Sequence, residues 1–184
     1  PTEGLEKPET DDKPPGILTV GQLANILSTV TQHPEYASLI PSIAIGAFAG
    51  LRTSELSQLR WEEIDLEAGT IEVTAAKAKT RQRRIVSIPE NLRAWLTPHA
   101  MKEGKTWAPN RRKLFPALLA LSEIKEWPKN ALRHSYASYH LAHHQDAGKT
   151  AHQLGHRDSQ MLFAHYRELV RPAQAALYWQ ILPS

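Results

Sequence analysis

"GTIEVTAAKAKTRQRRIVSIP", residues 69–89, decides the fold class of this chain. Around "GTIEVTAA" and "RRIVSIP" apolar and polar residues alternate, the period of a half-buried strand. Gly69 marks a turn before the first run, and the polar, basic "KAKTRQ" joins the two. The stretch predicts a β-hairpin near residues 70–88 with a charged tip. Outward from it in both directions the apolar spacing becomes helical. Thr19-Val20-Gly21-Gln22 is a capping box, followed by Leu23, Ile26, Leu27 and Val30 on one face. Pro34 opens a second helix, bent at Pro41 and ended by Gly50, with Thr53 as N-cap of a short third. Downstream, helices are predicted at "ENLRAWL", at "RRKLFPALLALSEI", after a cap at Asn130, at "KTAHQLG", and after Asp158 or Ser159. The expected class is α+β, mostly helical with a small antiparallel β-sheet.

The bulk numbers allow one domain and set few limits on function. The 184 residues are 41% hydrophobic and 22% charged, ordinary for a globular chain. No apolar run approaches the roughly 18 residues that cross a membrane. Cysteine is absent, which removes disulfides and thiolate metal sites and fits a reducing compartment. The net charge of +3 is unevenly spread: Glu3, Glu6, Glu9, Asp11 and Asp12 against Lys7 and Lys13 give residues 1–16 a charge of −3, leaving +6 on the rest. Residues 1–16, rich in Pro and charge, are expected to be a flexible linker. The basic remainder is compatible with a nucleic-acid partner.

"LGHRDSQMLFAHYRELV", residues 154–170, places Tyr166 ten residues after His156. A phenol with a pKa of about 10 is a poor nucleophile at neutral pH unless nearby cations stabilise the charge it develops. A tyrosine that attacks a phosphodiester needs arginines, whose planar forks meet two phosphate oxygens and stay protonated. It also needs a proton donor for the leaving 5′-oxygen, which a lysine among other cations can supply. The sequence offers Arg52 in "AGLRTSEL", Lys79 in "AKAKTRQRR", Arg133 in "NALRHSYASY" and His156 in "LGHRD".

These segments, in this order, resemble the tyrosine recombinase or phage integrase family over roughly residues 17–170. The resemblance implies a catalytic domain over residues 17–184, with a C-terminal helix at about 172–182 and a helical core-binding domain preceding it in the whole protein. It implies that Arg52 and Arg133 clamp the scissile phosphate, Lys79 protonates the departing 5′-hydroxyl and His156 hydrogen-bonds the phosphate. Tyr166 would attack and leave a 3′-phosphotyrosyl link, with no metal or other cofactor. Glu55 matches the family's acidic residue after the first arginine. Lys77 is the alternative to Lys79, which the "KT" pair favours; Lys77, Arg81 and Arg83 would contact DNA. The partner implied is double-stranded DNA, bound by a homotetramer whose isolated domains can be monomers, in the cytoplasm at the nucleoid.

One position departs from the pattern. Where the family has histidine three residues before the second arginine, this chain has Asn130. Asparagine donates a hydrogen bond but shuttles no proton. His134 or His165 could compensate. Two other readings stay open: a type IB topoisomerase with the same chemistry, and a DNA-binding module weakened in catalysis. His140, His143, His144 and His152 have ligand-like spacings, but no HExxH pattern accompanies them, and a solvated face is the expectation.

Overall fold

The computed structural model of the chain describes residues 15–78, 82–156, 160, 162, 166 and 169–183. Most of the expected linker, residues 1–14, and the proposed cap at Asp158 or Ser159 lie outside them. Helix α1 (Val20–Gln32) starts where the capping box places it: Thr19 Oγ1 accepts from the Gln22 amide at 3.1 Å, and Gln22 returns the bond to the Thr19 amide at 2.9 Å. It buries Leu23, Ile26, Leu27 and Val30. Pro34 opens a 3-10 helix (Pro34–Leu39) that hands over to α2 (Ile40–Ala49). Pro41 lies in the first turn of α2, where its missing N–H is harmless, so the helix begins there instead of bending there.

All ten residues of α2 are buried, and the helix is the axis of the domain. It packs against α4 (Glu90–Leu96) and α6 (Ala131–His144). Each fully buried Ile or Phe on it contributes about 1.5–3 kcal/mol relative to exposure. Gly50 ends α2 at φ 67°, and a Cβ there would fall 2.3 Å from the Tyr136 ring of α6, so only glycine fits on both counts. Helix α3 (Thr53–Leu56) follows at once. Its N-cap is Arg52, one residue before the expected Thr53, because the Glu55 side chain reaches back to the Arg52 amide.

The sheet has order β1-β2-β3, all antiparallel: β1 (Ile64–Asp65), β2 (Thr70–Val73) and β3 (Arg84–Ser87). The predicted hairpin is β2–β3, in register Ile71↔Val86 and Val73↔Arg84, and a two-residue strand extends it. Ile71, Val73 and Val86 face the core; Arg84 shares that inward face while Ile85 points out.

Further helices are α5 (Arg111–Leu121), α7 (Ala147–Leu154) and α8 (Pro172–Trp179). Helix α8 packs on α6: the Tyr178 ring stacks on Tyr139 at 4.0 Å, and its hydroxyl donates to the Ala47 carbonyl of α2 at 2.6 Å. Trp61 and Trp95 are buried, while Trp107, Trp127 and Trp179 pack partly buried on the core. No helix among the described residues is long and apolar enough to cross a membrane.

His140 departs from the expected solvated face. It is buried against Tyr136, His144 and Trp179, with Nδ1 2.7 Å from Thr150 Oγ1. The Thr150 hydroxyl donates to the Asp146 carbonyl, so Nδ1–H is the donor to Thr150. Burial first, then His144 and Lys149, pull the imidazole pKa down to about 3. The unfolded chain therefore takes up a proton below about pH 6.5 that the folded chain refuses until about pH 3. His140 alone should then cost about 1.4 kcal/mol of stability per pH unit across that window, roughly 2 kcal/mol between pH 7 and 5. Urea unfolding at the two pH values checks this, and His140→Gln should flatten the slope.

Candidate active site

Three arginines and one carboxylate form the polar centre. Glu55, 1% exposed, receives both terminal nitrogens of Arg84 at 2.9 and 2.8 Å, the Arg52 amide at 2.8 Å and the Arg52 guanidinium at 3.1 Å. Burial raises its pKa, but the hydrogen bond and charge of Arg84 and the Arg52 amide outweigh that and hold the carboxyl below its ordinary value. Arg84 also donates Nε to the Gln153 carbonyl at 3.2 Å, which ties β3 to α7. Gly155, at φ 66°, lets it pass: a Cβ there would crowd the Arg84 side chain at 3.0 Å.

Arg133 joins three segments from its position one turn into α6. Nη1 donates to the Gly50 carbonyl at 2.7 Å, and Nη2 lies 2.8 Å from the Leu154 carbonyl and 2.9 Å from His156 Nε2. Arg52, at the end of α2, and His156, at the end of α7, are thereby brought to one place. Burial first, then the charges of Arg52 and Arg84, lower the Arg133 pKa to about 9, so it remains cationic at neutral pH. Burial and the same three arginines depress His156 to about 4. A guanidinium only donates, so His156 Nε2 is the acceptor and Nδ1 carries the proton of the neutral ring. Three guanidinium groups against one carboxylate leave an excess of positive charge that favours an anion.

Tyr166 is 9% exposed, in an apolar cluster with Tyr136, Ala137, Leu141, Leu154 and Leu162. Its hydroxyl is 2.6 Å from His134 Nδ1, and the two rings stack at 5.8 Å. Burial raises its pKa; Arg133 acts in the opposite direction. Asn130 holds the N-cap position of α6 at φ 56°, yet its side chain makes no capping bond, contrary to the expected cap. It lines a cavity of about 300 Å³ with Trp107, Arg111, Phe115, Trp127 and Arg133. Arg111 is held there between the Trp107 and Phe115 rings at 4.3 and 4.1 Å, with a 2.8 Å bond to Ser42.

Arg52, Arg133, His156 and Glu55 thus meet at one centre, while Tyr166 and His134 pair beside it. Lys79 and Arg81 lie outside the described residues, as does His165. Lys77 is held by Glu63 in a half-buried ion pair, and Arg83 by Glu72 across the hairpin. Sequence reasoning missed Arg84. Its signal was the period-two pattern itself, which puts residue 84 on the same face as Val86 and so requires a buried acid as partner.

The chain belongs to the phage integrase family, whose model matches residues 17–171. Tyrosine recombinase XerC of Pseudomonas syringae pv. tomato is 27% identical over 172 residues, covering 86% of this chain and 58% of that protein. XerC of Pseudomonas savastanoi pv. phaseolicola is 30% identical over 175 residues, with the same coverage. The chain therefore spans 58% of the length of these curated relatives. Among solved structures, the catalytic domain of bacteriophage HP1 integrase has a TM-score of 0.64 at 21% identity, over 92% of this chain and 89% of that one. XerA recombinase has a TM-score of 0.68 at 21% identity, over 94% of this chain and 67% of that one. These likenesses establish a shared fold, a tyrosine-recombinase catalytic domain with a small antiparallel sheet.

Proposed function

We propose that the chain is the catalytic part of a site-specific DNA recombinase that cuts and rejoins strands through a 3′-phosphotyrosyl link. The observation that carries this is the convergence of Arg52, Arg133 and His156 beside a tyrosine drawn from a distant segment. The guanidinium groups of Arg52 and Arg133 would clamp the phosphate, and His156 Nδ1–H would donate to one of its oxygens. Asn130, at the same rim, is a further donor to the phosphate. Tyr166 Oη would attack phosphorus, Lys79 would protonate the leaving 5′-oxygen, and the ester would store the bond energy for rejoining, so that no metal or nucleotide is consumed. Arg83, next to the start of β3, and Arg81 in the basic segment before it are suited to the DNA backbone.

A solved structure of XerH recombinase with its difH substrate is among those sharing the fold. On this reading the partner is double-stranded DNA. Exchange between two duplexes needs four nucleophiles, hence a homotetramer on DNA. The place of work would be the cytoplasm, at the nucleoid. Residues 1–16 would then be the linker from a preceding core-binding domain.

The test is incubation with a nicked suicide DNA in which the released fragment diffuses away. Wild-type chain should accumulate a covalent adduct, and Tyr166→Phe should form none. Tight binding with no adduct would make the chain a DNA-binding module instead. Relaxation of a plasmid lacking any preferred site would point to topoisomerase-like activity.

A further inference from the structure

Tyr166 has a chemical problem that the proposed phosphate clamp does not solve. A phenol with an ordinary pKa is ionised to about one part in a thousand at pH 7, and burial pushes this one higher. The proton must therefore leave as the P–O bond forms. Asn130 cannot take it. His156 is poorly placed, because its Nε2 lone pair already accepts from Arg133 and Nδ1 carries the ring proton. Arg52 and Arg133 are donors only. Among the described residues, the base at hydrogen-bond distance from the hydroxyl is His134, one residue beyond Arg133 in α6 and 32 residues from the tyrosine.

We infer that His134 is the general base of the cleavage step, a role that rests on the recombinase reading above. A phenol hydroxyl has one proton, and with neutral imidazole protonated at Nε2 it donates to Nδ1. The ring stacking fixes the imidazole plane alongside the phenol. In the step, the Tyr166 O–H bond breaks and its proton passes to His134 Nδ1. The oxygen pair forms the bond to phosphorus, the P–O5′ bond breaks, and its electron pair leaves on the 5′-oxygen. That oxygen is protonated from the opposite side by the separate acid. On rejoining, the 5′-hydroxyl attacks phosphorus and gives its proton back to the conjugate base of the separate acid. The bond from phosphorus to the tyrosine oxygen breaks, and the imidazolium returns its proton to the departing phenolate. The same α6 turn thus supplies a phosphate clamp from residue 133 and a proton acceptor from residue 134, with Asn130 left as a donor. Among the described residues, the charged and titratable groups brought to this place include Tyr166, His156, Arg133, Arg52, Arg84 and the Glu55 carboxylate. Of these, the cations favour the phenolate as it develops and the neutral state of any imidazole beside them.

The experiment follows adduct formation in a single turnover, from pH 5.5 to 9, for the 184-residue chain and its His134→Gln, His134→Ala and His165→Gln variants. Two suicide substrates are used, one with the natural 5′-bridging oxygen and one with sulfur, whose thiolate leaves without a proton. His134→Gln should react about 10²–10³-fold more slowly at pH 7. Its rate should rise about tenfold per pH unit, as expected when hydroxide must remove the proton, where wild type with its own base should depend on pH less steeply. The deficit should persist on the sulfur substrate, and added imidazole should restore part of the rate of His134→Ala. His165→Gln should keep the wild-type profile.

Loss of the deficit on sulfur would assign His134 to the leaving group and overturn the inference. So would a uniform drop with the wild-type pH dependence intact, which marks a structural role, or a His165→Gln variant that alone shows the base's profile. If His134→Gln does not fold, as judged by thermal unfolding, the imidazole rescue of His134→Ala and the profile of His134→Asn decide the matter in the same way. Wild-type chain that forms no adduct would remove the recombinase reading and this role with it. Wild type that reacts and is matched by His134→Gln removes this role alone.

Discussion

Arg133→Lys should lower the rate of adduct formation at least about 10²–10³-fold while leaving DNA binding within a few fold. The substitution keeps one positive charge, so a purely electrostatic account would expect little change. The geometry says otherwise. The guanidinium spends its donors in three directions, on the Gly50 carbonyl, the Leu154 carbonyl and His156, and so fixes where the ends of α2 and α7 sit relative to α6. An ammonium on a flexible stem cannot satisfy the same three acceptors at once and also meet two phosphate oxygens. His156 then loses the donor that fixes its tautomer, and with it the aim of Nδ1–H. Two or three lost hydrogen bonds at about 1 kcal/mol each should lower the melting temperature by roughly 5–10 °C. Single-turnover cleavage, filter binding and calorimetry on one preparation separate the effects. Equal losses in binding and cleavage would mean that Arg133 acts as a charge and not as a joint.

Glu55→Leu should be the most damaging single change to the fold. The carboxylate is 1% exposed and is the acid paired with the buried Arg84 and with Arg52. Removing one partner of a buried pair leaves an uncompensated charge, a loss of about 3–5 kcal/mol. In a chain of this size that is roughly 10 °C of melting temperature. Replacing both partners, Glu55→Leu with Arg84→Met, should recover most of the loss, since apolar pairs of similar volume often substitute for buried ion pairs. Cleavage should not recover, because Arg52 has lost both its amide cap and its side-chain tether. A four-variant cycle read by denaturant unfolding measures the coupling. Glu55→Leu losing less than about 1 kcal/mol would show that water reaches Arg84 and replaces the carboxylate.

How much of this was legible beforehand depended on the range over which a residue acts. The capping box at Thr19 and Gln22 involves neighbours three apart and was readable. The hairpin was readable because a period of two shows in a single run. The bound Arg84 was concealed by the same run, since a charged residue in an alternating pattern is assigned to solvent unless its acid, 29 positions earlier, is known to face it. Thr53 lost the N-cap because Arg52 sits one residue nearer the reach of Glu55. His140 and its neighbours read as one exposed group, yet helix geometry turns His140 inward against Trp179, 39 positions on, while His143 and His144 stay at the rim. The pairing of His134 with Tyr166 left no local trace. Family resemblance indicated the clamp and left His134 and His165 as alternatives for the proton; the contact of His134 with the Tyr166 hydroxyl came from where the chain folds back.

The burial of Tyr178 has a consequence for how the polypeptide is made. Its hydroxyl bonds to the carbonyl of Ala47, 131 positions away, and its ring lies on Tyr139, whose own hydroxyl holds Leu18. The segment leading into α1, the central helix α2 and helix α8 are thus tied together through the Tyr139–Tyr178 pair. A nascent chain still lacking Tyr178 exposes the apolar flank of α2 and α6, and such long-range closure is slow. Synthesis of this domain therefore passes through an interval in which α2 and α6 exist without the residue that ties them to α8.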